Sequence, residues 1–308
     1  MESKLYKKKI IILIGGPTAS GKSKLAITLA KNINGEIINA DSMQIYRNFP
    51  ILTSQPSKVD REIIKHHLYG YVDTNVSYNG SRWLKDSLIK IKEIFSKKKT
   101  PIVVGGTGLY LEFMSQGISI IPNISIKTKT KVKSYFENKG LKNMYSYLRK
   151  IDSEYSKKIN FNDKIRITRA LEVFFETNKT FSHYHEKKKF NNHYNYYKIF
   201  VSPSKEQIIE NCILRFNKMI KQGVIEEFLK NKNKVKNCNI SKAIGFQELE
   251  DHLLNKSSLL NLSTNIIKNT RKYSKRQFTW FNNRYNPQIK IDSHKKYSLI
   301  LESLSKII

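Results

Sequence analysis

A glycine-rich loop, an acid at a strand end and a second glycine turn are the groups in this chain best suited to chemistry. Gly16-Pro17-Thr18-Ala19-Ser20-Gly21-Lys22-Ser23 matches the pattern G-x-x-x-x-G-K-[ST]. Glycines in such a loop let backbone N–H groups converge on phosphate oxygens, Lys22 adds a point charge, and Ser23 offers its hydroxyl to Mg²⁺. The motif specifies a chain of phosphates, not a reaction. Asp41 ends a second strand in NADSMQIY, residues 39–46. In a parallel sheet the C-terminal strand ends line one crevice, so Asp41 faces the loop across it. An acid there binds Mg²⁺ through water, acts as a general base, or caps the next helix, and spacing alone leaves the three open. GGTGLY, residues 105–110, adds backbone donors and the Thr107 hydroxyl at the same edge, with a plain strand-to-helix turn as the alternative.

The elements that position these groups alternate. Residues 10–14 (IIILI) read as a buried strand and 22–32 as the following helix; 36–41 form a second strand. Residues 81–98 carry Trp83, Leu84, Leu88, Ile91, Ile94 and Phe95 at helical spacing. Residues 101–106 form a third strand, and a helix starts at Leu109. This is an α/β pattern, a P-loop NTPase-like parallel sheet flanked by helices. From Ile120 to about Tyr194 no strand is expected; the stretch is lysine-rich, with helical periodicity over 141–151 and 164–176. Residues 196–203 return to a core strand, with helices over 205–222 and 224–231 and a long amphipathic helix over 259–281. The expected organisation is a core of residues 1–119 and 196–308 with an all-helical domain, 120–195, inserted.

A chain of 308 residues with 39% hydrophobic and 26% charged residues is ordinary for a globular protein. Its charge is not: 56 Lys+Arg against 25 Asp+Glu leave +31. Such an excess suits a polyanionic partner, because bound phosphates release counterions. A coding bias explains it equally, since Lys and Asn crowd even KNKNKVKNCN, residues 230–239. Cys212 and Cys238 show no CxxC and no paired histidine spacing, which argues against zinc and a disulfide scaffold and fits a reducing compartment. The apolar run before Gly15 is too short for a signal peptide, and no segment approaches a membrane span, so a cytoplasmic protein is expected.

Seven motifs occur in order: GPTASGKS, ADSMQIY, GGTGLY, DKIRITRALEVF (163–174), RFNKMIKQGVIEE (215–227), AIGFQE (243–248) and YSKRQFTWF (273–281). The set closely resembles the bacterial tRNA dimethylallyltransferases, the isopentenyltransferases that modify the adenosine 3′ of the anticodon in tRNAs reading codons that begin with U. The resemblance covers nearly the whole chain. It implies that dimethylallyl diphosphate, not ATP, occupies Gly16, Pro17, Thr18, Ala19, Ser20, Gly21, Lys22 and Ser23, although the family signature is commonly described as ATP-binding. It implies Mg²⁺ near Ser23, with Asp41 through water, and Arg215 reaching the diphosphate from a later helix. Thr107 would lie beside the reacting centre, and Asp41 would take the proton of the adenine amine. Ser42, Met43 and Gln44 resemble contacts to a flipped adenine.

The same resemblance implies a tRNA surface of Asp41 to Gln44, Ile165, Arg166, Ile167, Thr168 and Arg169, Lys242, Ala243, Ile244, Gly245, Phe246 and Gln247, with Lys272, Lys275 and Arg276. Arg166 and Arg169 share one helix face and suit loop phosphates. The inserted domain would clamp the anticodon stem of a tRNA, the chain acting as a monomer. Phe278, Trp280 and Phe281 are expected in the core. Two positions depart from the pattern: Gln55 stands where a lysine is typical, and His66-His67 lacks its usual preceding proline and reads as loop structure, not a metal pair. A P-loop small-molecule kinase explains the first loop and Asp41, but not GGTGLY, AIGFQE or the basic insertion. An adenylate isopentenyltransferase leaves the insertion unexplained, and a non-catalytic RNA-binding protein leaves Lys22, Asp41, Thr107 and Arg215 unexplained.

Overall fold

The structure is a computed structural model that describes residues 9–186, 188–189, 194–235, 238–254, 256–293 and 296–305. Its strands are β1 Lys9–Gly15, β2 Gly35–Asn39, β3 His66–His67, β4 Thr100–Gly105, β5 Ile118–Ser119, β6 Lys188–Lys189, β7 Tyr194–Val201 and β8 Ile289–Ile291. Six of them form a parallel sheet in the order β3-β2-β4-β1-β7-β8. The chain divides into two compact units, one spanning Gln116–Asn191 and the other holding the remainder.

Strand β1 shows why the sheet must be covered on both faces. Its aliphatic run alternates, Ile11 and Leu13 facing one apolar layer and Ile12 and Ile14 the other, all four fully buried. Each such side chain contributes about 1.5–3 kcal/mol of gross burial energy. On one face lie Trp83, Ile91 and Ile94 of helix Gly80–Ser96, with Leu262, Ile266 and Phe281 of helix Leu259–Arg284. On the other lie Leu25, Ala26, Leu29 and Ala30 of helix Lys22–Asn32, with Ile300 and Leu304 of helix Tyr297–Ser305. Helix Lys22–Asn32 carries Lys31 in its last turn, where the dipole favours a cation, and the chain reverses just beyond it at Asn34 in the left-handed region.

Three expectations change. The second strand ends at Asn39, so Asp41 stands in the turn beyond it. His66-His67 is not loop: it pairs with Ile37 and Ile38 as the edge strand β3. There His67 Nε2 meets the buried Glu36 carboxylate at 2.7 Å, while Lys99 Nζ reaches its other oxygen at 2.9 Å. Burial is the largest single influence and raises the Glu36 pKa, but the hydrogen bonds and charges of His67 and Lys99 together outweigh it and hold the carboxyl below its ordinary value. The stretch expected to lack strands holds β6, paired antiparallel with β5.

The unit Gln116–Asn191 has its own core. Helix Ile126–Ile151, interrupted at Gly140, packs Val132, Met144 and Leu148 against Ile167, Ala170, Leu171 and Val173 of helix Lys164–Thr177. Asp163 caps the latter, accepting the Arg166 N–H at 3.1 Å, and Asn178 closes it in the left-handed region.

One close approach sets the geometry above the sheet. Gly105, at the end of β4, lies so near the chain leaving β2 that a methyl group there would overlap the Ala40 carbonyl. Gly105→Ala must therefore separate two adjacent strand ends, and a loss of about 1–3 kcal/mol is expected in urea unfolding. An unchanged midpoint would show that the ends separate freely.

Candidate active site

The phosphate loop leaves β1 at Gly15 and is drawn against β7: a Cβ on Gly16 would sit 2.6 Å from the Val201 carbonyl oxygen. Ala19 (φ 62°) and Gly21 (φ 83°) adopt the left-handed conformation on either side of Ser20, which curls successive N–H groups toward one point. Helix Lys22–Asn32 begins there with Gly21 as its cap and no side-chain acceptor, so its first N–H groups are left for an anion. The Ser20 hydroxyl is buried with no partner among the described residues. Lys22 Nζ donates to the Pro17 carbonyl at 3.0 Å. Burial pushes the Lys22 ammonium down to about 8, with Arg215 adding to the effect and Asp41 opposing it. Arg215, on helix Lys205–Lys221, donates to the Thr18 hydroxyl at 2.7 Å, and Asn211 of the same helix donates to the Ala19 carbonyl at 2.8 Å.

The acid is placed by its neighbours in the turn. Asn39, fully buried, receives the Asp41 N–H at 2.8 Å and donates to the Asp41 and Leu68 carbonyls, both at 3.0 Å. Trp83 Nε1 donates to the Asn39 carbonyl at 2.6 Å while its ring stacks on Tyr110. Asp41 Oδ1 accepts the Met43 N–H at 2.9 Å. The Thr107 N–H donates to the Ala40 carbonyl at 3.1 Å, and its hydroxyl accepts the Ser42 N–H at 3.0 Å. Thr107 thus braces the Asp41–Ser42 turn directly beside the acid.

Helix Leu259–Arg284 ties the two loops together along one face. Phe281 fills the space where Gly15 lacks a side chain, and Tyr285, just beyond, donates to the Leu13 carbonyl at 2.8 Å. Between them and the cavity, buried Gln277 accepts the Thr18 N–H at 2.8 Å and donates to the Gly106 carbonyl at 2.7 Å. A Cβ on Gly106 would lie 2.4 Å from the Gln277 amide nitrogen, so any side chain there would push the bridging carboxamide aside. Tyr273, one turn earlier, lines the cavity beside Arg276. Burial and the nearby Asp41 charge raise its phenol pKa, so it is a neutral hydroxyl at physiological pH.

These groups surround a cavity of about 930 Å³. Lys22, Ser23, Asp41 and Arg215 line it, as do Thr18 to Gly21, Met43, Gln44, Lys242, Ala243, Ile244 and Arg276; Gly16, Pro17 and Ser42 are set back. Gln44 is tethered: its Nε2 donates to the Thr53 and Ser54 carbonyls at 3.0 and 2.8 Å, fixing the cavity wall. The same wall is held from behind by Glu227, whose carboxylate accepts the Ile51 and Leu52 N–H groups at 2.8 and 2.9 Å.

Two of the residues expected at RNA belong to the core instead. Phe246 packs its ring on Phe228 and Phe49, with centroids 4.8 and 5.7 Å away, and Ile167 is fully buried inside the helical unit. Gly245 (φ 96°) opens helix Phe246–Leu253, its N–H received by Glu248 at 2.9 Å. Gln247 is exposed and bonded to Glu250 and Asp251. The Thr168 hydroxyl is buried, whereas Ile165 and Arg166 are exposed; Arg166 pairs with Asp163, and half-buried Arg169 with Glu172. Lys272 and Lys275 are exposed. Phe281 is buried and Trp280 partly so, while Phe278 is 37% exposed, flanking Phe200 with the Lys290 ammonium over its ring.

Asn39, Tyr273 and Gln277 had escaped the sequence reading. Gln277→Leu keeps the shape but strands the Thr18 N–H and Gly106 carbonyl in the interior. A loss of about 1–3 kcal/mol in denaturant unfolding is expected. Gln277→Glu should be worse than Leu at neutral pH, because a carboxylate cannot donate to Gly106; equal stability of the two variants would contradict the bridge.

The comparisons with known proteins agree in kind. Residues 44–284 match the IPP transferase family. A tRNA dimethylallyltransferase of Pelagibacter ubique is 41% identical over 94% of this chain and 93% of its own length. One from Rickettsia conorii is 37% identical over 98% and 85%. A crystal structure of the full-length tRNA isopentenylpyrophosphate transferase from Bacillus halodurans superimposes with a TM-score of 0.70 at 28% identity, covering 98% of this chain and 97% of that one. A eukaryotic dimethylallyltransferase, described as acting on tRNA, gives 0.81 at 27% identity, covering 96% and 77%. With its loop, acid and clasping helix in one cavity and matches of this extent, the chain belongs to the IPP transferase family of tRNA dimethylallyltransferases.

Proposed function

We propose that the chain moves the dimethylallyl group of dimethylallyl diphosphate onto the exocyclic N6 of the adenosine 3′ of the anticodon, in tRNAs reading codons that begin with U. The products are N6-(dimethylallyl)adenosine and diphosphate. The observation that carries this reading is one cavity lined both by an anion grip and by a carboxylate, Asp41. The relatives named for this reaction match nearly the whole chain, and none of those described above is a kinase.

In the reaction, the C1–O bond of the donor breaks with its electron pair leaving on diphosphate, and the adenine N6 forms the new bond to C1. Diphosphate leaves only when its growing charge is stabilised. The uncapped N–H groups at Lys22, the Lys22 ammonium and the Arg215 guanidinium are preorganised for that. As the N6–C1 bond forms, the amine becomes acidic and its proton passes to Asp41, which returns it to water. Thr107 and Asn39 act on this step by holding the Asp41 turn. The base must leave its stack to enter, and the wall held by Gln44 and Glu227 then receives it.

Mg²⁺ fits the donors present. The Ser23 hydroxyl has no partner among the described residues, Asp41 Oδ2 accepts no hydrogen bond there, and both are hard oxygens. No group of three or more His, Cys, Asp or Glu residues there could hold a metal, so diphosphate and water would supply its other ligands. Bound there, Mg²⁺ would add positive charge for the departing diphosphate. Within the helical unit, Ile165, Arg166 and Arg169 are proposed contacts to the anticodon stem-loop; within the other unit, Lys242, Lys272, Lys275 and Arg276 are proposed RNA contacts in their own right. Among the described residues no helix is long and apolar enough to cross a membrane. One chain supplies every group named, so we take the enzyme to work as a monomer, in the cytoplasm with its tRNA.

Asp41→Asn should retain tRNA binding by gel shift while transfer of labelled prenyl groups falls about 10²- to 10⁴-fold. Turnover near wild type would remove Asp41 as the base. Diphosphate affinity should carry the Lys22 titration. The anion binds the protonated ammonium and raises its pKa, so affinity contributed by Lys22 is complete below pH 8 and declines as pH rises above it. Calorimetry with inorganic diphosphate should show that decline in the wild type and lose it in Lys22→Arg, whose charge persists. Parallel profiles would place the titration elsewhere.

A further inference from the structure

One cation on the cavity wall takes no part in the chemistry above. Helix Lys58–Ile63 opens with a reciprocal cap in which Asp60 Oδ2 accepts the Ser57 N–H at 2.9 Å and the Ser57 hydroxyl at 2.6 Å. That carboxylate is thereby engaged at the helix start, and Arg61 forms no ion pair among the described residues. Neutral groups hold Arg61 instead. Its Nε donates to the Pro56 carbonyl and its Nη2 to Gln55 Oε1, each at 3.2 Å, and its guanidinium lies 5.9 Å from the centroid of the Tyr69 ring.

Gln55 is itself fixed. Its Nε2 donates to the Tyr46 carbonyl at 2.8 Å, with the Thr53 hydroxyl 3.4 Å away, which turns Oε1 toward Arg61. Gly70, in the left-handed region, leaves room for that oxygen: a Cβ there would lie 2.7 Å from it. Arg61 is exposed, yet it lines the cavity with Lys24, Lys58 and Lys218. A lysine at position 55 would repel Arg61, whereas a glutamine both removes that charge and orients the guanidinium.

We propose that Gln55 and Tyr69 hold Arg61 as a second phosphate-binding residue of this cavity, outside the loop Gly16–Ser23. The inference rests on the prenyl-transfer reading for its setting. A guanidinium whose orientation is set by neutral neighbours keeps its full charge and part of its planar donor fork for an incoming oxyanion. The ligand chemistry is a phosphate oxygen, either of the RNA backbone beside the modified base or of the donor's diphosphate.

The test uses the full chain with Arg61→Met, which keeps most of the side-chain stem. Affinities are measured for inorganic diphosphate and for an unmodified anticodon stem-loop RNA over a salt series. If the phosphate is the RNA's, RNA binding weakens about three- to tenfold, and the slope of log K against log salt shrinks by about 0.7–0.9, with diphosphate unaffected. If it is the donor's, diphosphate binding weakens by a similar factor and the RNA slope stands. Gln55→Lys added to Arg61→Met should recover the lost affinity by returning a cation to the same corner, while Gln55→Ala alone should lower it. Unchanged affinities in Arg61→Met, or no recovery in the double variant, would overturn the proposal. A wild-type chain that binds both ligands but transfers no prenyl group would defeat the prenyl-transfer reading while leaving the Arg61 result standing.

Discussion

The two hydrogen bonds of the Gln277 carboxamide tie the phosphate loop to the turn after β4, above the strand ends that the sheet already pairs at Gly15 and Gly105. A strand followed by a glycine loop and a helix grips phosphates unaided, wherever the acceptor lies. Transfer to a second substrate needs a base at a fixed distance from that grip, and here the base stands in the turn after β2. Three strand ends separate into loops above the sheet, and loops splay unless something spans them. Gln277 receives the N–H of the phosphate loop and donates to the carbonyl just before Thr107. Thr107 in turn receives the N–H of the residue after Asp41. The chain of contacts therefore runs from the leaving-group site to the base through hydrogen bonds, on a helix whose next turns are anchored at Gly15 and Leu13.

Sequence made the sheet and the grip legible because both depend on short-range pattern. Ile10 to Ile14 can only be a buried strand, and the following GxxxxGKS opens a helix whose apolar face is readable from Leu25 to Ala30. Strands β3 and β8 escaped because two or three residues carry no period, and the edge position of His66-His67 is decided by Glu36 across the ladder. Gln277 escaped for a different reason. It sits in a helix rich in polar residues, where its burial depends on glycine at position 106, far away in the chain. The errors at Ile167 and Phe246 share one cause: a motif match records which residues recur together, not whether they face solvent or the interior. Arg166 and Ile167 are neighbours in the chain and opposite in burial.

The charge of the chain has the same two-sided character. A net +31 says little by itself, and some lysines are exposed helix residues paired with a neighbour one turn away, such as Lys133 with Glu137. Such pairs contribute little to stability. The cations of the cavity are different because their surroundings work against them. Burial disfavours the charge on both Lys22 and Arg215, and at Lys22 the repulsion of Arg215 adds to it. A protein maintains that arrangement at the cost of stability, and an entering anion relieves it.

Asp41 completes the electrostatics of the cavity. Its charge favours the protonated forms of Lys22 and Arg215 while the site is without an anion. An incoming diphosphate replaces it in that role and is repelled by it. In the proposed reaction this repulsion is removed at the right moment. As the C1–O bond breaks, negative charge grows on diphosphate; as the N6 proton arrives, Asp41 loses its own. The two changes oppose one another across the cavity, so the grip meets its largest anionic load when the competing carboxylate is neutral. A permanently charged acid would oppose departure of the leaving group, and a neutral amide would leave the proton without an acceptor. The carboxylate is the side chain that meets both demands, provided the turn through Asn39, Ser42 and Thr107 keeps it at its station.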